Sequence, residues 1–300
     1  MDENLRKLVT EQMNQSTKCI DRCSTKDMLY LLNQEDKKVP YAVEKELDHI
    51  AEAVDAIAEK IRLGGRLFYV GAGTSGRLGY LDASECPPTF GVDDGMVQAI
   101  IAGGETALGH SVEGAEDDED EGRRILDKYG IDGNDVVVGI TASGRTPFVL
   151  AAVGEADKRG ILTVGISNNK NSLLESLSRI SISVQVGPEA IKGSTRLKAG
   201  TAQKLILNMI STGVMIKLGK VYGNLMVCMK PTNHKLVERS KQIIQTATGV
   251  DYETAQEYFD RADGNIKAAI VMVEKKCSLE TALSLLEESG EYVAYAVERQ

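Results

Sequence analysis

The chain has 300 residues and a formal net charge of -9 at pH 7. An acidic chain lacks the basic surface that binds phosphate backbones, which argues against nucleic acid as a partner. No apolar run reaches the roughly 20 residues that cross a bilayer, and the first fifteen residues contain no apolar signal core, so we expect a cytoplasmic protein without a membrane segment.

The potential metal ligands are few and scattered. Five cysteines form an odd and dispersed set, which is typical of reduced thiols. Cys19 and Cys23 lie four residues apart on a predicted helix, but no second ligand pair with zinc-like spacing follows them. The three histidines, His49, His110 and His234, have no other candidate ligand near them in sequence. We therefore expect no metal site and no cofactor.

The predicted elements alternate between helices and apolar strands. Residues 43–63 form an amphipathic helix that stops at Gly64 and Gly65. Helical stretches separate most of the apolar segments with strand character, which lie at residues 66–70, 96–102, 135–140, 161–167 and 180–186. Continuous apolar strands of this kind indicate a parallel sheet that is covered on both faces. The predicted fold class is therefore α/β, a doubly wound five-stranded parallel sheet in an α/β/α sandwich.

A change of pattern follows the sheet segments. A long helix is predicted over residues 199–219, and residues 240–300 show only helical periodicity. We predict a small C-terminal helical domain of three or four helices.

Two loops follow the first and third predicted strands, at the edge where doubly wound sheets bind ligands. The first loop has Gly71, Gly73 and Gly76 in the spacing G-x-G-x-x-G, which alone is weak evidence for a nucleotide. A dinucleotide fold also carries an acidic residue at the end of the second strand, where it holds the ribose. Here that end reads AGGE, and Glu105 is a poor candidate, so a nucleotide ligand is disfavoured.

Hydroxyl groups are the other feature of these loops. The second loop, TASGRTP, groups Thr141, Ser143 and Thr146 before Pro147, which is well placed as the first residue of a helix. Hydroxyls and free backbone N–H groups at a helix N-terminus bind a phosphate dianion, and Ser75 in the first loop can add a donor. For one loop alone, caps and turn residues are the better explanation. Two such loops at corresponding strand ends favour a ligand with one phosphate.

Longer segments around these loops carry a specific resemblance. The loops resemble those of the sugar isomerase (SIS) domains, which bind phosphosugars. From about residue 5 to the C-terminus the chain resembles the N-acetylmuramic acid 6-phosphate etherase family, through the strings GAGTSGRLGYLDASECPPTFG, VEGAEDDEDEG, GITASGRTP and GPEAIKGSTRLKAGTAQKLILNMIST. We divide the chain into an N-terminal helical segment at 1–45, an SIS catalytic domain at 46–239 and a UBA-like helical domain at 240–300.

The resemblance implies cleavage of the D-lactyl ether at C3 of the amino sugar, with entry of water, to give N-acetylglucosamine 6-phosphate and D-lactate. An ether oxygen is a poor leaving group, so direct displacement by water would be slow. When the sugar ring opens, the aldehyde acidifies the C2 proton. A base removes this proton, lactate leaves from C3, and water adds to C3. The route needs a base and an acid.

Two carboxylates are candidates for these roles. A carboxyl group in a partly dry pocket has a raised pKa and can act as base and acid in turn. Glu85 follows the helix predicted after the first loop, beside Pro87 and Pro88, and matches the family's catalytic Glu in L-D-A-S-E. From the residues alone, a helix residue facing water is the better interpretation.

Glu116 lies in an acidic run that, on its own, indicates a solvated helix face. The family motif E-G-A-E-D implies that it is the second catalytic residue. Handing a proton to Glu85, positioning water and assisting ring opening are all open roles for it.

Further substrate contacts are implied by the resemblance. Ser194 and Thr195 in GSTRLKAG match substrate-contacting residues of the family, with Lys198 as a further cation. A capped helix with an exposed basic turn explains these residues equally well. Arg145 stands where other phosphosugar SIS loops carry Glu, so it contacts the ligand or only shapes the loop. Because SIS sites are generally completed by a neighbouring subunit, we expect a homodimer with a shared active site.

Two other functions remain open. The glucokinase regulatory protein is a phosphosugar sensor that shares the SIS loops, but such regulators carry two SIS domains, and only one set of loops occurs here. An aldose–ketose isomerase would also use a base at C2. We expect a small phosphosugar as the partner, in amino sugar catabolism or cell-wall recycling.

Overall fold

The computed structural model describes residues 8–231 and 233–299. Residues 1–7, at the start of the predicted segment 1–45, lie outside the described residues. That segment continues with short 3-10 turns at Val9–Glu11, Gln15–Thr17 and Ile20–Arg22. It becomes α-helical at Thr25.

The central sheet has five parallel strands in the order β2-β1-β3-β4-β5. The strands are β1 Leu67–Gly71, β2 Val97–Ile101, β3 Val136–Thr141, β4 Leu162–Ser167 and β5 Ile180–Ser183. Nearly every strand residue is buried, because helices flank the sheet, and this accounts for the unbroken apolar runs. The predicted doubly wound α/β fold is confirmed. The strand order reverses between β1 and β3, so the carboxyl ends of these two strands flank a ligand-binding crevice.

The helices connect the strands and then form the C-terminal part of the chain. They are α1 Thr25–Asp36, α2 Lys38–Glu44, α3 Leu47–Arg62, α4 Gly73–Phe90, α5 Thr106–Gly109, α6 Glu119–Lys128, α7 Pro147–Lys158, α8 Leu173–Leu177, α9 Lys198–Lys217, α10 His234–Thr248, α11 Tyr252–Arg261, α12 Ile266–Lys275, α13 Leu279–Glu288 and α14 Val293–Glu298. None of the helices within the described ranges is long and apolar enough to span a membrane.

The chain divides into two compact units. The first contains residues 8–83 and 95–211 and holds the sheet, with Phe68, Val137 and Phe148 in its core. The second contains residues 84–94, 212–231 and 233–299 and packs its helices around buried residues such as Ile270 and Leu286. These bounds differ from the predicted boundary at residue 240, because α4 and α9 each contribute residues to both units.

Three helix predictions need correction. The helix predicted at 43–63 is two helices, α2 and α3, with a break where the Glu46 carboxylate bonds Nδ1 of His49 at 2.8 Å. Helix α4 does not end before Glu85 but continues through Pro87 and Pro88 to Phe90. The described residues of the C-terminal region form five helices rather than three or four. Four of the five begin with a side-chain cap, at Asn233, Asp251, Asn265 and Ser278.

Candidate active site

A cavity of about 300 Å³ lies at the carboxyl ends of β1 and β3. We call it the hydroxyl cavity; its lining comprises Thr10, Glu11, Ala72, Gly73, Thr74, Ser75, Glu116, Thr141, Ala142, Ser143, Thr146, Gly193 and Thr195. Six predicted site residues are thus brought together, namely Ser75, Glu116, Thr141, Ser143, Thr146 and Thr195. Hydroxyl groups and two carboxylates line this cavity, and none of its lining residues within the part of the chain that the structure describes is basic.

The first loop makes its turn with two glycines in close contact. A Cβ added to Gly71 would lie 2.6 Å from the backbone nitrogen of Gly76, so a side chain cannot be placed there without moving the backbone. This close approach starts α4 directly after β1 and places Ser75 in the first turn of the helix. The glycine spacing that resembles a nucleotide fingerprint therefore serves a tight strand-to-helix turn.

A chain of buried polar groups holds the Ser75 side chain. Its hydroxyl donates to Oε1 of Gln203 at 2.9 Å, and Nε2 of Gln203 donates to Oδ1 of Asn168 at 3.2 Å. Asn168 in turn donates to the carbonyl of Val184 at 3.2 Å. Gln203 and Asn168 were not predicted from the sequence. The available signal was the helical spacing of Gln203 with Ala199, Ile206 and Leu207, which indicates a buried amide that needs partners.

The second loop is organised around Thr141, the last residue of β3. Its hydroxyl lies 2.7 Å from the hydroxyl of Thr146 and 3.3 Å from that of Ser143. The Ser143 hydroxyl also accepts a hydrogen bond from the backbone N–H of Arg145 at 3.1 Å. Gly144 between them has φ +69°, and a Cβ there would lie 2.3 Å from Cβ of Ser172. The loop therefore presents three clustered hydroxyls beside the N-terminus of α7.

Glu116 lies on a single 3-10 turn, Ala115–Asp117, rather than on a helix face. The turn is entered through Gly114 at φ +74°, and helix α6 starts only at Glu119. The side chain of Glu116 is exposed and lines two adjoining cavities. The acidic run is thus divided: Glu116 faces the site, whereas Glu119 pairs with Arg123 on the surface of α6.

The second cavity, which we call the arginine cavity, encloses about 350 Å³. It shares Ala72, Gly73 and Glu116 with the hydroxyl cavity. Its remaining lining residues are Arg77, Ala102, Ala107, His110, Ser111, Val112, Glu113, Gly114 and Ala115. The two cavities therefore adjoin at these three shared residues.

Arg145 and Ser194 do not line the hydroxyl cavity. Arg145 is half-buried, and its Nε is a buried donor without a hydrogen-bond partner among the described residues. Ser194 forms the turn before α9 through its backbone, where its carbonyl accepts the N–H of Leu197 at 3.1 Å. Thr195, the next residue, is the one that reaches the cavity.

Lys198 was predicted to contact the substrate, but the structure gives it a different environment. Its ammonium group is buried and donates to Oε2 of Glu35 at 2.6 Å. Burial raises the pKa of the Glu35 carboxyl, but the hydrogen bonds from Lys198 and Lys38 outweigh it and hold that pKa below its ordinary value. Lys198 therefore stabilises the packing of α1 beside α9 in this structure and does not line the cavity.

Glu189 completes this buried group at the start of α9. Its carboxylate accepts the backbone N–H groups of Lys198 and Ala199, both at 2.9 Å. Burial raises the pKa of the Glu189 carboxyl, and the two N–H donors offset this only in part. Glu189 was not predicted from the sequence as a site residue.

Glu85 also differs from its predicted setting, because its side chain is exposed rather than partly dry. Glu85 occupies an exposed position of α4, which continues through the Pro pair and does not end before Glu85. Glu85 is ten positions beyond Ser75 on this helix, which is about 15 Å along the helix axis. Glu85 is not among the described residues that line the hydroxyl cavity.

An N-terminal segment contributes two lining residues that the sequence analysis missed. The backbone N–H of Val9 donates to Oδ1 of Asn169 at 2.9 Å, and the Asn169 amide donates to the Thr10 hydroxyl at 3.2 Å. Further along, the Thr17 hydroxyl donates to the carbonyl of Ala190 at 2.7 Å. These bonds hold Thr10 and Glu11 at the hydroxyl cavity. Such contacts span more than 150 residues, so no local pattern reveals them.

Comparisons with known proteins first define the class of the sheet unit. Residues 126–212 match the SIS domain family, and residues 49–156 match the glucokinase regulatory protein N-terminal SIS domain. The structure of a phosphoheptose isomerase from Neisseria gonorrhoeae is 15% identical, with a TM-score of 0.50 over 64% of this chain and 98% of that chain. At this identity the likeness concerns the fold alone: the sheet unit is an SIS domain.

Full-length relatives then define the family. An N-acetylmuramic acid 6-phosphate etherase from Clostridium acetobutylicum is 55% identical over 297 residues, which are 99% of this chain and 98% of the relative. That from Clostridium beijerinckii is 53% identical over 295 residues, which are 98% of this chain and 97% of the relative. The chain belongs to the N-acetylmuramic acid 6-phosphate etherase family, and the resemblance noted from its motifs is confirmed.

Proposed function

We propose that the protein is a carbon-oxygen lyase that cleaves the D-lactyl ether of N-acetylmuramic acid 6-phosphate by elimination and hydration. The products are N-acetylglucosamine 6-phosphate and D-lactate, in the catabolism of muramic acid. The observation that carries the proposal is the hydroxyl cavity, where both SIS loops and Glu116 face one space. The name shared by the full-length relatives supports the choice of substrate.

The phosphate group is assigned to the second loop. Thr141, Ser143 and Thr146 offer three hydroxyls there, next to the positive end of the α7 dipole. Glu11 and Glu116 line other parts of the cavity wall and would repel a phosphate, so the sugar ring rather than the phosphate lies beside them. The Arg145 Nε–H without a partner is a further donor near this loop.

The reacting carbons are assigned to the side of the cavity near Glu116. A base removes the C2 proton of the ring-opened aldehyde, and the C3–O bond then breaks. The departing oxygen takes a proton from an acid and leaves as D-lactate. Water next adds its hydroxyl to C3 of the unsaturated aldehyde and a proton returns to C2, so the atoms balance. The exposed Glu116 can exchange protons with solvent between these steps.

We assign Glu85 to the active site of a second copy of the chain. In a hexose 6-phosphate, five bonds separate the phosphorus from C3, a distance of no more than about 7 Å. Glu85 lies about 15 Å from Ser75 along α4 and is not among the described residues that line the hydroxyl cavity. We therefore propose a homodimer in which Glu85 of one chain serves the hydroxyl cavity of the other.

Two alternatives are retained as outcomes of the test. A regulator of the glucokinase regulatory protein type is favoured by the match at residues 49–156, but the described residues contain a single SIS sheet. An aldose–ketose isomerase would use the same C2 proton abstraction and give a ketose phosphate without lactate.

The experiment is an assay of purified protein with N-acetylmuramic acid 6-phosphate, with lactate and sugar products measured separately. We expect equal amounts of D-lactate and N-acetylglucosamine 6-phosphate, and loss of most activity in Glu116→Gln with an unchanged melting temperature. Glu119→Gln, an exposed position three residues further on, is the matched control. Tight phosphosugar binding without lactate release would favour the regulator, and a ketose product would favour the isomerase.

A further inference from the structure

The arginine cavity has no role in the elimination and hydration steps that we assign to the hydroxyl cavity. It shares the wall formed by Ala72, Gly73 and Glu116 with the hydroxyl cavity, and it encloses about 350 Å³. A ligand that extends past Glu116 from the hydroxyl cavity therefore enters a space lined by Arg77 and His110. The position of this space is the first reason to ask what it binds.

The charge of Arg77 is the second reason. Arg77 is half-buried in the first turns of α4, where Nε donates to the carbonyl of Leu108 at 3.0 Å and Nη2 donates to that of His110 at 3.2 Å. Both acceptors are neutral, and no acidic side chain in the part of the chain that the structure describes pairs with this guanidinium. A half-buried cation that lines a cavity without an anionic partner favours an anionic ligand.

The geometry of the guanidinium narrows the class of anion. The two carbonyls occupy the side edge formed by Nε and Nη2. The end edge still offers an N–H from Nη1 and the second N–H from Nη2, in the fork that matches the two oxygens of a carboxylate. The bonds to Leu108 and His110 also fix the plane of the group, so less side-chain entropy is lost when an anion binds.

We propose that Arg77 binds the carboxylate of the lactyl group and thereby selects the lactyl ether over other amino sugar phosphates; this inference rests on the proposed function. With the phosphate at the second loop and C3 near Glu116, the ether substituent points away from the phosphate toward the arginine cavity. The carboxylate carbon is two bonds beyond the ether oxygen. A sugar without the lactyl group does not reach Arg77.

Glu113 lines the same cavity and bears the opposite charge. Its side chain is exposed, so solvent and salt screen it more strongly than the half-buried Arg77. We therefore place the carboxylate beside Arg77 and away from Glu113.

The test compares two ligands that differ only in the lactyl group. For wild type, Arg77→Gln and Arg77→Lys, we measure kcat/KM for N-acetylmuramic acid 6-phosphate and the inhibition constant of N-acetylglucosamine 6-phosphate. We expect Arg77→Gln to lower kcat/KM by about 10- to 100-fold, as for loss of a charge-assisted bidentate contact, with the inhibition constant changed less than about threefold. Arg77→Lys keeps the positive charge but loses the paired N–H donors, so its kcat/KM should lie between those of wild type and Arg77→Gln. Arg123→Gln, which removes an exposed guanidinium from α6, is the control and should change neither quantity.

Equal loss of both quantities in Arg77→Gln would mean that Arg77 only supports the 108–110 backbone, and it would overturn the proposal. An unchanged kcat/KM would overturn it as well; in both cases wild-type lactate release leaves the proposed function standing. If the wild type binds N-acetylglucosamine 6-phosphate but releases no lactate, the proposed function and this inference fail together.

Discussion

Ser75 and Gln203 are joined by a buried hydrogen bond of 2.9 Å, although 128 positions separate them in the chain. Ser75 lies in the first turn of α4, and Gln203 lies in the second turn of α9. The bond fixes the rotamer of the hydroxyl that faces the cavity from the first loop. A side chain outside the cavity lining thus determines how a lining residue is presented.

The first prediction concerns this bond. Gln203→Leu leaves the Ser75 hydroxyl and the Asn168 amide without their partner, so we expect a loss of about 1–3 kcal/mol in the free energy of unfolding. We also expect KM for the phosphosugar to rise by about tenfold, since a rotated Ser75 makes a poorer contact. Urea denaturation and steady-state kinetics measure the two effects. Gln242→Leu, at an exposed position of α10, is the control. An unchanged KM would show that Ser75 needs no such support.

The second prediction concerns the turn of the second loop. Gly144→Ala places a Cβ 2.3 Å from that of Ser172 at a residue with φ +69°, so the loop must move or strain. We expect a loss of about 2 kcal/mol or more in stability and at least tenfold weaker binding of the phosphosugar. Gly133→Ala is the matched control, because its added Cβ meets nothing within 4 Å and its φ is not positive. Wild-type affinity in Gly144→Ala would contradict the assignment of the phosphate to this loop.

The third prediction separates structure from binding at Lys198. Lys198→Met leaves the buried Glu35 carboxylate with only the exposed Lys38 as a cationic partner, and we expect a loss of about 2–3 kcal/mol in stability. The double variant Lys198→Met with Glu35→Leu removes both charges and should regain most of that loss. If Lys198 only supports packing, the double variant keeps a KM within about threefold of wild type. A large rise in KM in a stably folded double variant would instead restore Lys198 as a substrate contact.

The same buried group predicts a pH dependence of stability. The pKa of Glu35 is lower in the folded chain than its ordinary value of 4.5, so its contribution is present above pH 4.5 and is lost as the pH falls through the folded pKa. The pKa of Glu189 is raised, so its contribution is present below pH 4.5 and is lost as the pH rises through the folded value. We therefore measure the free energy of unfolding of wild type, Glu35→Gln and Glu189→Gln from about pH 3.5 to 7. The stability of wild type relative to Glu35→Gln should rise with pH, whereas its stability relative to Glu189→Gln should fall. Parallel slopes would contradict these directions.

The fifth prediction tests whether Glu85 acts across a dimer. Glu85→Gln and Glu116→Gln should each be nearly inactive alone, because each removes a carboxylate assigned to the reaction. If Glu85 serves the other chain, a mixed dimer has one intact site, and random association should restore about a quarter of wild-type activity. A double variant carrying both changes in one chain, mixed with either single variant, is the control and should restore none. No recovery in the mixture of single variants, with mixed dimers shown to form, would place Glu85 in its own chain's site.

The strands and the two loops could be predicted because their signals are local. An unbroken run such as VVVGI reflects burial on both faces, and TASGRTP places its hydroxyls within six residues. The supporting contacts were not predictable, because Ser75 with Gln203 and Lys198 with Glu35 depend on how distant helices pack. Lys198 resembles any exposed basic residue until its burial is known.

The predictions of the α4 helix end and of the surroundings of the two carboxylates were wrong for a different reason. Proline inside a helix is unfavourable, so the Pro87-Pro88 pair indicates a helix end, yet α4 continues to Phe90. Glu85 is therefore an exposed residue within α4 and not a residue beyond the end of the helix. Glu116 lies within a run of acidic residues, so the sequence does not distinguish it from its neighbours. In the structure it lies on the 3-10 turn after Gly114, whereas the later acidic residues lie on α6.

The central claim is that this site cleaves the lactyl ether by elimination followed by addition of water at C3. The most direct measurement is reaction of N-acetylmuramic acid 6-phosphate with wild-type protein in heavy-oxygen water, with both products analysed by mass spectrometry. The account predicts D-lactate of natural mass, because it keeps its ether oxygen, and heavy oxygen at C3 of N-acetylglucosamine 6-phosphate. Heavy oxygen in the lactate hydroxyl, or no lactate at all, would contradict it.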